Sequence, residues 1–121
     1  MQQSDAELRM YQAEFWSLTE QAALLHRAGR SREAVPLLER SLAKNEKPGA
    51  QVVNWLWLAL AHQRLGQTGE ARRWLEKARK WLDQFGGRMP VGTDAAGLDL
   101  HNWLEAHVLR QEAEALLVPL R

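Results

Sequence analysis

Four histidines, His26, His62, His101 and His107, are the nitrogen ligands available to this chain, and it has no cysteine. His101 and His107 stand six positions apart. Two imidazoles share a metal from one helix at i, i+4, as in HExxH, which does not occur here. Thiolate zinc sites, disulfides and thiol catalysis are excluded outright. Ser4, Ser17, Ser31 and Ser41 all fall in helix or cap contexts, and none stands in a GxSxG elbow. The glycines in FGGRMPVG (Phe85 to Gly92) form neither a Walker A loop nor a dinucleotide fingerprint. These residues point to no metal, no cofactor and no enzymatic reaction. What remains is binding chemistry: six tryptophans in 121 residues, and the cations Arg72, Arg73, Lys77, Arg79 and Lys80 on one short stretch.

A chain of 121 residues fits one domain and buries roughly two-thirds of its unfolded surface. Lys plus Arg total 16 against 15 for Asp plus Glu. The resulting charge of +1 creates no global field toward nucleic acid or an anionic membrane. The longest apolar run, Trp55 to Ala61, is far short of the ~20 residues that cross a bilayer. The opening MQQSDAELRM lacks the charged-then-apolar layout of a signal peptide. A soluble, cytoplasmic domain is the expectation.

Helical periodicity organises the whole chain around Gln51 to Leu65, where Asn54 is the only polar residue between Val52 and Ala61. A helix that is apolar nearly all round must be covered on more than one face. Before it, Ser4 and Glu7 form a capping box for a helix reaching Ala28, ended by Gly29. Ser31 is placed to cap a second helix, Arg32 to Asn45, which Pro36 should disturb locally. NEKPG (Asn45 to Gly49) reads as a turn before the central helix, Val52 to Leu65. Gly66 and Gly69 precede a fourth helix, Glu70 to Gln84. Phe85 to Gly97 has no periodicity and carries four glycines, which suggests a mobile flap or linker. Asp99 is an N-cap for a last helix running to Val118. Leu100, Trp103, Leu104, His107, Val108, Glu112, Ala115 and Leu116 are assigned to its inner face, and Pro119 ends it.

Two stretches share a register. Gly29 pairs with Gly66, Glu33 with Glu70, Ala34 with Ala71 and Leu38 with Leu75, each pair 37 positions apart. A helix, a glycine turn, then Glu-Ala opening a second helix, occurring twice, is a repeat signature. The pattern resembles the tetratricopeptide repeat (TPR) family, whose unit is a helical hairpin. The first unit would run from Phe15 to Pro48, with Leu18, Ala22, Leu25, Gly29, Ala34 and Leu38 matching and Gln21 and Ser41 departing. The second would run from Val52 to Phe85, with Trp55, Leu58, Ala59, Gly66, Ala71, Leu75 and Ala78 in place. The resemblance implies an all-α, TPR-like superhelix: two hairpins, a loop over 86–98 and a capping helix over 99–118. Asn54 to Asp83, followed by Trp103 to Leu117, is also similar to the TPR tails of bacterial multidomain signalling proteins, including Ser/Thr kinases. That likeness implies one segment of a larger regulator, although no kinase motif is present.

The repeat register assigns Trp55, Trp74, Trp81 and Trp103 to the core. Trp16 and Trp57 project to the concave side, with Val53, Leu56, Leu60 and Arg64. An apolar groove with two indoles suits a peptide or an amphipathic helix, because tryptophan is a frequent interface anchor. The expected function is therefore a protein–protein interaction scaffold, with Trp57→Ala weakening association while sparing the fold. The same groove could instead hold a second copy of the chain, or this chain's own last helix or loop. The basic face from Arg72 to Lys80 is the alternative, for nucleic acid or an acidic partner, although Glu70, Glu76 and Asp83 interrupt or flank it. Chaperone-tail binding does not carry over, since Thr19, Ala23 and Trp57 occupy the positions where that carboxylate clamp needs lysine, asparagine and arginine.

Overall fold

The computed structural model describes residues 4–92 and 98–118, and among these the protein is all-α. Five helices follow one another: α1 (Asp5–Arg27), α2 (Ser31–Leu42), α3 (Pro48–Arg64), α4 (Thr68–Phe85) and α5 (Leu100–Leu117). No helix is long and apolar enough to cross a membrane. The chain forms two hairpins, α1 with α2 and α3 with α4; α3 also packs on α2, and α5 lies across α3 and α4.

The two hairpin turns are built alike. Gly29 has φ 85° and Gly66 φ 78°, the left-handed conformation that glycine adopts without a Cβ penalty. Each closes its helix with a backbone bond that reaches five residues back, Arg30 N to Leu25 O at 2.7 Å and Gln67 N to His62 O at 2.8 Å. The N–H groups of Ala34 and Ala71 then donate to Arg30 and Gln67 as the second helix opens. Both alanines are fully buried, which lets each second helix close on the first. The 37-position register of the sequence is thus a register of hydrogen bonds.

The ends of the helices follow local chemistry, with three departures from expectation. Ser4 caps α1 by accepting from Glu7 N at 3.1 Å, and Asp99 caps α5 by accepting from Asn102 N at 2.8 Å. Ser31 does not cap α2. It is that helix's first residue, and its hydroxyl instead meets Nδ1 of the buried His26 at 2.8 Å. The turn at Asn45 to Gly49 is shorter than its composition suggests, because α3 already begins at Pro48, whose fixed φ suits the first helical position. Gln51 Nε2 closes that turn by donating to Asn45 O at 2.7 Å. The third departure is the face on which α5 packs. Residues 86–92 form bends and turns; 93–97, part of the predicted flap, and Pro119, the predicted helix stop, lie outside the described residues.

Every α3 side chain from Val52 to Ala61 is buried. Its one polar member, Asn54, joins a knot across three helices: Thr19 Oγ1 lies 2.8 Å from Asn54 Oδ1, from Ser41 Oγ and from the carbonyl of Phe15. Ser41, one of the two departures from the repeat pattern in the first hairpin, is therefore a structural partner of α1. Burial of the two hydroxyls and of Asn54 Oδ1 is offset by these bonds, while Asn54 Nδ2 is left buried without a partner.

α5 packs through Asn102, Ala106, Leu109, Ala113 and Leu117. Leu100, Leu104, Val108 and Leu116, assigned to its inner face, are exposed instead. The helix is apolar on both sides, so periodicity alone could not select a face; small side chains at 106 and 113 allow the close approach.

Candidate interaction cleft

The backbones of α1 and α5 do not pack against each other, although both flank α3. A cleft of about 330 Å³ lies between them. α1 supplies Trp16, Thr19, Glu20 and Ala23, at the i, i+3, i+4, i+7 spacing that places them on one helix face. The opposite wall is Asp99, His101, Asn102 and Glu105, and the floor is Trp57 of α3. The start of α5 lies beside Trp16 and its middle lies beside Arg27, so α1 and α5 run in the same direction along the cleft.

Trp57 is almost wholly covered, at 5% exposure. Its ring is held by Arg27, whose guanidinium carbon lies 4.9 Å from the ring centroid, and by the edge of His26 at 5.9 Å. The indole N–H is buried without a hydrogen-bond partner. Glu105 comes close enough for its carboxylate to feel that N–H, but the pair stays outside hydrogen-bond geometry. Burial raises the Glu105 pKa above the usual range, and Glu20 across the cleft adds to the rise; His101 and the Trp57 N–H oppose it. His101 Nε2 stands 3.9 Å from the Glu105 carboxylate.

The predicted contact residues divide. Trp16 is half-buried on the cleft wall. Trp57 forms the floor, yet it is a core residue and not a projecting one. Val53, Leu56 and Leu60 are fully buried and offer no contact surface, because α5 and the first hairpin cover the face the register left open. Arg64 donates to the carbonyl of His26 and so braces α1 at the far end. His26 itself, buried among Arg64 and Arg27, has its pKa lowered to about 4, by burial first and then by those two cations. The sequence reading missed Glu20, Asp99, His101 and Glu105. The signal was present: Trp16 with Glu20, and His101 with Glu105, are i, i+4 pairs.

Much of the basic face of α4 is already engaged. Arg73 meets Glu70 at 3.1 Å, and Arg79 meets Glu114 at 3.2 Å. The Lys77 ammonium lies 4.7 Å from the Trp55 ring and 5.5 Å from Trp74. Arg72 and Lys80 remain solvent-exposed. Trp103 Nε1 donates to the Gly86 carbonyl at 2.8 Å, tying α5 to the end of α4.

A scan of protein-family models, a search of curated proteins and a search of solved structures return no match to this chain.

Proposed function

We propose that this chain is a non-enzymatic, TPR-like interaction module of the cytoplasm, which holds a segment of a partner protein in the cleft between α1 and α5. The 37-position recurrence of turn hydrogen bonds supports the kinship with TPR hairpins. The observation that carries the binding site is Trp57, a buried indole with an unpartnered N–H that floors an open cleft flanked by a second indole, Trp16. Buried donors are rarely left unpaired, and a peptide carbonyl is the acceptor that such a cleft would receive. A cleft of about 330 Å³ is small, near the low end of the roughly 300–1,000 Å³ of ligand pockets, and suits a few residues of extended chain better than a helix. The test is selection of random twelve-residue peptides on the folded protein, followed by affinity measurement on Ala23→Trp, which fills the cleft. Selected peptides should lose at least tenfold in affinity for the variant. Undiminished binding to a variant with native helicity would move the site elsewhere.

Self-association is the second reading, and one observation favours it. Leu100, Leu104 and Val108 form an i, i+4, i+8 stripe on α5, exposed at 44%, 50% and 61%. Such a face marks an interaction surface more often than a scattered exposed leucine does. Light scattering across a hundredfold concentration range would detect a dimer, and Leu104→Glu should dissociate it. Nucleic acid ranks below both readings, because the cations of α4 are partly neutralised by their neighbours.

A further inference from the structure

We propose that the cleft between α1 and α5 recognises a lysine or arginine side chain of the partner segment. The inference rests on the reading of this cleft as a binding site and adds the chemistry of what enters it. Three carboxylates line the space, Glu20, Asp99 and Glu105, and among the described residues no lysine or arginine does. Several acids elsewhere have a cationic partner, Glu14 with Lys44, Glu70 with Arg73, Asp83 with Arg110, and Glu112 with Arg27, whereas Asp5, Glu7, Glu39 and Glu46 stand on exposed positions without one among the described residues. Among the described residues neither Glu20 nor Glu105 has such a cationic partner. His101 Nε2 stands 3.9 Å from the Glu105 carboxylate, and the nearest other bases, Arg27 and Lys47, line the spaces that adjoin the cleft at either end.

Two acids held across one cleft without a cation repel each other, and an incoming ammonium or guanidinium removes that repulsion. Partial exclusion of water strengthens the attraction relative to a surface pair. The aromatic lining serves the same guest. Trp16 can pack against the methylene stem or take the cation over its ring, where the quadrupole attracts positive charge. One face of Trp57 is already occupied by Arg27, so Trp57 contributes its edge, and its N–H meets a backbone carbonyl of the guest. Donor below and carboxylates on both walls together describe a basic residue within a peptide, not a free metal ion or an apolar anchor.

The probes are an acetylated and amidated Gly-Gly-Arg-Gly-Gly peptide and its citrulline counterpart, which keeps the shape and removes the charge. Titrations are followed through the indole N–H signals of Trp16 and Trp57 in the ¹⁵N-labelled chain. The arginine peptide should shift both signals saturably, bind at least tenfold more tightly than the citrulline peptide, and weaken at least fivefold when salt is raised from 0.15 to 0.5 M. The double variant Glu20→Gln, Glu105→Gln should lose at least fivefold for the arginine peptide only. Equal binding of the two peptides, or no salt response by the wild type, overturns the recognition of a cation while leaving the cleft as a peptide site. No shift with either peptide overturns it too, and selected peptides that depend on Ala23 but lack a basic residue would then show that the cleft binds something else. The salt titration uses the wild type, so the outcome holds even if the double variant folds poorly.

Discussion

Arg27 of α1 grips Glu112 of α5 through two hydrogen bonds of 2.6 and 2.7 Å, and the same guanidinium covers the ring of Trp57. The two residues are 85 positions apart, on helices whose backbones do not pack. This pair therefore bridges the space between first and last helix, one turn of α1 beyond the cleft. It also joins a floor residue to both walls, so the cleft, the latch and the core share one side chain.

The latch makes a first prediction. Arg27 and Glu112 are 47% and 32% exposed, so solvent screens the pair and its two-point geometry adds little beyond a surface bridge. A double-mutant cycle with alanine at both positions, read by urea denaturation, should give a coupling of about 0.5–1 kcal/mol. Arg27→Ala should cost more than Glu112→Ala, by roughly 0.5–1 kcal/mol, because it also uncovers the Trp57 ring. Equal costs would mean that Arg27 does nothing for Trp57.

Trp57→Ala should destabilise the fold by about 3–5 kcal/mol, the cost of emptying a large buried site. This reverses the expectation drawn from the repeat register, which placed Trp57 on an open groove. Thermal and urea unfolding decide the matter: a variant within about 1 kcal/mol of the wild type would restore Trp57 to the surface.

How far sequence reached can be read from this residue and its neighbours. The position of every helix was legible, because caps, glycines and apolar spacing act locally: Ser4, Gly29, Gly66 and Asp99 each do what their chemistry dictates. Which face met which partner was legible only where a helix had one apolar side, as in α2 and α4. On α3 and α5, apolar all round, the covering of each face depends on distant segments, so Val53, Leu56 and Leu60 were misplaced, as were Leu100, Leu104 and Val108. The acidic walls of the cleft come from residues about 80 positions apart, and no local pattern brings Glu20 to Glu105.

The turn register yields a third prediction. Gly29→Ala and Gly66→Ala should each cost about 1–2 kcal/mol, from forcing an alanine into the left-handed region. Nothing lies within 4 Å of a Cβ at either position, so the cost is conformational and not steric. Gly69 also has open space but no positive φ, and it sits in the first turn of α4. Gly69→Ala should therefore be neutral or stabilise by up to about 1 kcal/mol. Chemical denaturation of the three variants separates these outcomes; a loss at position 69 as large as at 29 would undo the assignment of the two turns.

The last prediction concerns acid. His26 is buried at 2% exposure, bonded to Ser31 and flanked by Arg27 and Arg64, and its pKa falls from 6.5 to about 4. Between those values the unfolded chain takes up a proton that the folded protein refuses, so stability rises with pH across this window. The contribution is complete above pH 6.5 and is lost as pH drops toward 4, to a total of about 3 kcal/mol. Glu112 and Asp83, held low by Arg27 and Arg110, lose stability in the same direction, but only as the pH enters the ordinary carboxylate range. Glu105, raised by burial, acts with the opposite sign as it ionises, so any fall in stability from pH 6.5 to 5 is left to the histidine. Urea midpoints of the wild type should fall through that interval, while those of His26→Gln, less stable at pH 7, should show no fall there. A wild-type profile that matches the variant's would show that His26 takes up its proton in the folded state as readily as in the unfolded chain.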